Sequence, residues 1–86
     1  MFTILWGDEP FARLGQIVQL NPARKDELAH ALREITGRLQ ANPTATGESR
    51  GGDLRVLIAT PLTVYFRPDD DTATVRVVGV RVRFLT

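Results

Sequence analysis

Ten of the eleven basic residues in this 86-residue chain are arginines, and Lys25 is the exception. Six of the arginines, Arg50, Arg55, Arg67, Arg76, Arg81 and Arg83, fall within or just before the stretch Leu54 to Phe84. A guanidinium is planar, permanently charged and able to grip phosphate or carboxylate through two parallel hydrogen bonds, so this grouping suits anion binding. A base-composition bias in the source genome yields the same preference for arginine over lysine. Groups that move protons are few. His30 is the only histidine; it sits between Ala29 and Ala31, where an exposed helical residue is the plainer reading, and one histidine makes no metal site. Tyr65 is a candidate proton donor, but a packed strand aromatic is the commoner role. Glu48 reads as a base or as a surface ion-pair partner of Arg50. The absence of cysteine excludes disulfides, thiolate nucleophiles and cysteine-ligated zinc. Asp69, Asp70 and Asp71 lack the glycine and distal glutamate of an EF-hand loop and read as a solvated turn. No cofactor or metal is expected.

The elements that must position these side chains follow from hydrophobic spacing. Phe2 to Trp6 reads as a strand ending at Gly7. Asp8 is a candidate N-cap, with Glu9 and Pro10 in the first turn of a helix whose Phe11, Leu14, Ile17, Val18 and Leu20 fall on one face. Asn21 and Pro22 read as cap and first residue of a second helix. Its stripe is Leu28, Leu32, Ile35 and Leu39, and it stops near Ala41 because Pro43 disfavours helix at Asn42. Two antiparallel helices in a hairpin are implied. Residues 42–53, NPTATGESRGGD, are polar and turn-rich and read as a loop. Leu54 to Thr60 and Leu62 to Arg67 form a hairpin, and Pro68 to Thr72 turns the chain into a last strand. The order strand, helix, helix, strand, strand, strand gives a single α+β domain over 1–86. Its expected form is two layers, a helical hairpin on one face of a mainly antiparallel four-stranded sheet.

Strand alternation then sorts the arginines. Leu54, Val56 and Ile58 are expected inward, with Arg55, Leu57 and Ala59 outward. On the next strand Leu62, Val64 and Phe66 turn inward, with Thr63, Tyr65 and Arg67 outward. On the last strand Val75 and Val77 share one parity, whereas Val80, Val82 and Phe84 share the other. One extra residue at Val78-Gly79 restores the pattern, and glycine within a strand is a known place for a bulge. The open face is therefore expected to carry Arg55, Arg67, Arg76, Arg81 and Arg83 around Tyr65, with Arg50 just before it. Such a face fits RNA backbone or an acidic peptide. A solubilising outer face that keeps sheets from pairing has the same composition, and pattern alone puts that reading first.

A chain of this length buries about 60–65% of its unfolded surface, so a small stability margin is expected. The net charge is only +1, and the basicity is local to the last strands. No apolar run approaches the roughly 20 residues of a membrane span. MFTILWGDEP makes a poor signal peptide, so a cytoplasmic location and no membrane association are expected.

The segments LREITGRLQANPTATGESR and LRVLIATPLTVYFRPDDDTATVRVVGV resemble the RelE/ParE toxin superfamily of bacterial toxin–antitoxin, or plasmid stabilisation, systems. The likeness lies in a helix ending before a proline and a glycine-containing loop. It continues in the spacing of Arg55, Leu57, Pro61, Thr63, Val64, Phe66, Arg67, Val75, Val77 and Val80. It covers nearly the whole chain in order. Members of the family share a fold more than an activity: some cleave messenger RNA in the ribosomal A site and others poison DNA gyrase. The resemblance implies a toxin component that binds RNA or a cognate antitoxin, with the ribosome, mRNA or DNA gyrase as targets. Ribosome-dependent nucleases of the family carry basic residues at positions similar to Arg55 and Arg67. Their G-x-R-x-R segment matches Gly79, Arg81 and Arg83, so the resemblance supplies Arg67 and Arg81 as catalytic candidates, beside Tyr65 from its place on the basic face. Two departures weigh against endoribonuclease activity. Lysines of the family are replaced by Arg50 and Gly51-Gly52, and the sequence runs from Phe84 to Leu85 and Thr86 without the tyrosine or histidine those nucleases carry after the last arginine. Arginine is a poor proton carrier, so phosphate binding is the better-supported expectation. The alternative is a non-catalytic interaction module on the same fold, a homodimer or partner-binding protein using free strand edges.

Overall fold

Gly7 separates the first strand from the first helix, and its N–H donates to the Val77 carbonyl at 3.0 Å, tying that junction to the last strand. In the computed structural model, which describes residues 1–84, the elements run β1 (Thr3–Trp6), α1 (Asp8–Leu20), α2 (Lys25–Ala41), β2 (Glu48–Ser49), β3 (Arg55–Ala59), β4 (Leu62–Asp69) and β5 (Thr74–Val82). The sheet order is β1-β5-β4-β3-β2, with β1 parallel to β5 and every other pairing antiparallel. Both helices bury their apolar sides on one face of this sheet, the two-layer α+β arrangement expected. The sheet has five strands rather than four, because the stretch expected to be only loop also contains a 3-10 turn, Pro43–Ala45, and the two-residue β2. Gly47 makes that edge possible. Its φ is +72°, and a Cβ built there would lie 2.0 Å from the Val56 carbonyl oxygen, so only glycine lets the two backbones approach.

The helix starts differ from expectation in instructive ways. Asp8 is the first residue of α1 rather than its cap, and Gly7 stands at the cap without a side-chain bond. Pro10 and Ile17 are buried and Leu14 is half-buried, but Phe11, Val18 and Leu20 are exposed. Successive helical residues are about 100° apart, so the face through Pro10 and Ile17 leaves Phe11 and Val18 each one step round the cylinder. The Asn21 side-chain amide donates to the Ile17 carbonyl at 2.8 Å. It therefore closes α1 instead of opening α2. A 3-10 turn, Pro22–Arg24, intervenes before α2 begins at Lys25. The predicted stripe of α2 holds, with Leu28, Ile35 and Leu39 buried, joined by Ala31, and Leu32 packed at the margin.

Strand parity matches the expectation on β4 and β5 and is inverted on β3. Leu62, Val64, Phe66, Val75 and Val77 are fully buried beneath the helices. Tyr65 pairs with Gly79 and Phe66 with Val77, leaving Val78 unpaired: the bulge predicted at Val78-Gly79 is present. It returns Val80 to the core after Val77. On β3, Leu57 and Ala59 face the helices while Ile58 is 62% exposed. The connection through Thr60 and Pro61 makes Ala59 and Leu62 direct partners. Cross-strand partners share a face, so an inward Leu62 commits Ala59, Leu57 and Arg55 to the helix side.

Candidate nucleic-acid interface on the open sheet face

Five of the predicted site residues, Tyr65, Arg67, Arg76, Arg81 and Arg83, lie on the face away from the helices. Thr63, Tyr65 and Arg67 alternate along β4, and the register sets Arg81 beside Thr63, Gly79 beside Tyr65 and Arg76 beside Arg67. Arg83 follows β5; its N–H donates to the Pro61 carbonyl at 2.8 Å, and it borders a cleft with Ile58 and Thr63. The bulge is what aims these side chains. Without the unpaired Val78, one parity would carry Arg76 outward and send Arg81 and Arg83 under the helices.

Tyr65 is half-buried, and its ring lies across Gly79: a Cβ at Gly79 would come within 3.4 Å of Tyr65 Cδ1. The Arg81 guanidinium carbon stands 5.8 Å from the ring centroid, a cation–π contact. An open cleft over the ring is bordered by Leu54, Val78, Arg67 and Arg81, with no carboxylate among its described lining residues. Cationic forks either side of a partly exposed aromatic ring can hold a phosphate and stack a base.

The face is electrostatically uneven. Arg67 Nη1 bonds the Asp53 carboxylate, and a cleft at that end gathers Asp53, Asp69, Asp70 and Asp71 around Arg67 and Arg76. The Asp71 N–H donates to Asp69 Oδ1 at 3.0 Å, a self-contained turn. Arg76, Arg81 and Arg83 have no ion-pair partner among the described residues. On the far side of the bulge, Arg13 and Glu9 of α1 line a cleft with Arg81. Sequence reasoning missed Arg13, since only the path of β1 into α1 brings that helix alongside β5.

Two predicted residues stand elsewhere. Arg55 is not on the open face: it follows the inverted parity of β3, is half-buried, and donates from Nε to the Thr46 carbonyl and from Nη2 to the Gly47 carbonyl, both at 3.0 Å. It pins the loop ahead of β2 to the sheet. Arg50 lies in the β2–β3 hairpin and pairs with Glu48 at 3.2 Å, with β3 between it and β4. His30 is exposed on α2. The acid–base position expected to be unfilled beyond Phe84 falls on Leu85 and Thr86, outside the described residues.

With this geometry in view, the comparison with solved structures is specific. The crystal structure of the isolated RelE toxin from E. coli aligns with all of this chain and 88% of its own, with a TM-score of 0.69 at 11% sequence identity. This is the RelE fold. The likeness read from the spacing of Arg55 to Val80 is met in the architecture, and at this identity it is the fold that is shared. No family model and no curated protein matches the sequence. Among the described residues no helix is long and apolar enough to cross a membrane.

Proposed function

We propose that this chain is a RelE-like toxin component of a toxin–antitoxin pair whose open sheet face binds single-stranded RNA. Arg81 and Arg83 take backbone phosphates, Tyr65 offers a stacking surface, and Arg67 and Arg76 extend the track. The observation that carries this reading is the cleft in which the bulge sets Arg67 and Arg81 beside Tyr65, with Arg76 and Arg83 further along the same face, in a chain that has the RelE fold over its whole length. Guanidinium–phosphate pairs are charge-assisted, and base–aromatic stacking adds about 1–3 kcal/mol per base, so a short single strand suits the cleft. Arginine as a residue type is a poor proton carrier and Tyr65 is the face's one phenol, which favours binding over cleavage. In the same reading Arg67 and Arg81 would steady a phosphate, and a cognate antitoxin with acidic and apolar residues would cover them.

Induced expression in bacteria tests the toxin role. Growth arrest that is relieved in the Arg81→Ala/Arg83→Ala double variant is the expected outcome, and unimpaired growth with the native chain at high level would count against it.

A second reading, a partner-binding module without toxicity, is favoured by one observation. β2 pairs with β3 only at Val56 and Arg55, which leaves the exposed Ile58 without a strand partner on that side. Free strand edges accept an added strand.

A further inference from the structure

Arg67 is the one arginine of the open face with an ion-pair partner among the described residues, and that partner is delivered by an unusual turn. Gly51 and Gly52 adopt φ of +107° and +56°, values that L side chains rarely take. The Arg50 N–H donates to the Leu54 carbonyl at 2.8 Å and the Leu54 N–H to the Gly51 carbonyl at 3.1 Å. The tight return places Asp53 on β4's Arg67, fourteen residues along the chain. The sheet register also sets Arg67 directly beside Arg76. Like charges in that relation repel, and a carboxylate on one of them offsets the repulsion.

We propose that Asp53 is an internal competitor for Arg67. Its carboxylate holds Arg67 Nη1, one of the donors a phosphate would use, so the Arg67–Arg76 end of the face engages in full once a polyanion already anchored on Arg81 and Arg83 displaces it. This rests on the reading of the face as an RNA-binding surface. The side chains of Arg67 and Asp53 are 48% and 64% exposed, and ion pairs this exposed are held weakly and exchange readily with other anions. The gate is therefore shallow, a brake on affinity and an ordering of contacts. It predicts asymmetry along the strand, with one end of the face engaging phosphate before the other.

The test is binding of a fluorescently labelled single-stranded oligouridylate to the full chain, followed by anisotropy at fixed salt. Asp53→Asn should tighten binding about two- to five-fold, the range that an exposed ion pair corresponds to. Asp71→Asn removes the same charge from the same cleft without touching Arg67, and should tighten binding by less than half as much. In an Arg67→Ala background, Asp53→Asn should tighten binding no more than Asp71→Asn does. Equal tightening by the two aspartate variants in the native background, or an Asp53→Asn effect that persists in full in the Arg67→Ala background, overturns the gate and leaves only bulk charge. An intact Asp53–Arg67 cycle with binding that ignores Arg81→Ala/Arg83→Ala refutes the anchor on which the displacement depends, while the competition at Arg67 stands. If neither the native chain nor Asp53→Asn binds the oligonucleotide, both ideas fail.

Discussion

Single residues in this chain divide into those that hold the sheet and those that the sheet displays. Gly47 and Arg55 belong to the first kind. Replacing Gly47 by alanine forces a Cβ against the Val56 carbonyl at a positive φ, and a cost of at least about 2 kcal/mol is expected from the left-handed backbone and the contact together. Urea unfolding measures it, and a midpoint unchanged from the native chain would show that the loop relaxes around the methyl group. Arg55→Ala removes two hydrogen bonds from a half-buried guanidinium to loop carbonyls. It should lower stability by roughly 1–2 kcal/mol and leave oligonucleotide affinity within two-fold of native. A large loss of affinity with stability preserved would return Arg55 to the binding face. Neither residue's role was legible in the sequence. Arg55 and Arg67 look alike as arginines flanked by apolar residues, and what separates them is a strand partner eleven positions away in Phe66 against Arg55 itself.

At the level of elements, legibility tracks how strongly each strand alternates. β5 carries valines in one phase at 75 and 77 and in the other at 80 and 82, with Gly79 between, so the bulge could be placed from the sequence alone. After Arg55, β3 reads Val56-Leu57-Ile58-Ala59, an unbroken apolar run that carries no phase of its own. Its phase is dictated by the short return through Thr60 and Pro61 into Leu62. Paired substitutions check this directly. Ile58→Lys should shift stability by no more than about 0.5 kcal/mol, as surface changes do, whereas Leu57→Lys buries an unpaired charge and should cost several kcal/mol. Equal costs would contradict the inverted parity. The stripe of α2 was read correctly because its polar face is well marked, whereas α1 spreads apolar residues round the cylinder and its buried line could not be singled out.

For the whole molecule, the shared RelE fold fixes the frame and the bulged sheet decides what the frame presents. The helices pack on one face, and the other carries Tyr65 with Arg67, Arg76, Arg81 and Arg83. The Arg67–Asp53 pair, joining a glycine turn to β4, was invisible in the sequence because nothing in the local spacing of either residue announces it. The proposed RNA-binding surface has its anchor at the Arg81–Arg83 end of the face beside Tyr65. Titrating the labelled single-stranded oligouridylate across a range of salt concentrations, with the native chain and the Arg81→Ala/Arg83→Ala variant side by side, tests that surface most directly. The expected result is at least a ten-fold weaker affinity for the variant and a log–log salt dependence reduced by about 1.4, two phosphate contacts at roughly 0.7 each. Equal affinity and equal salt dependence for the two proteins would contradict it.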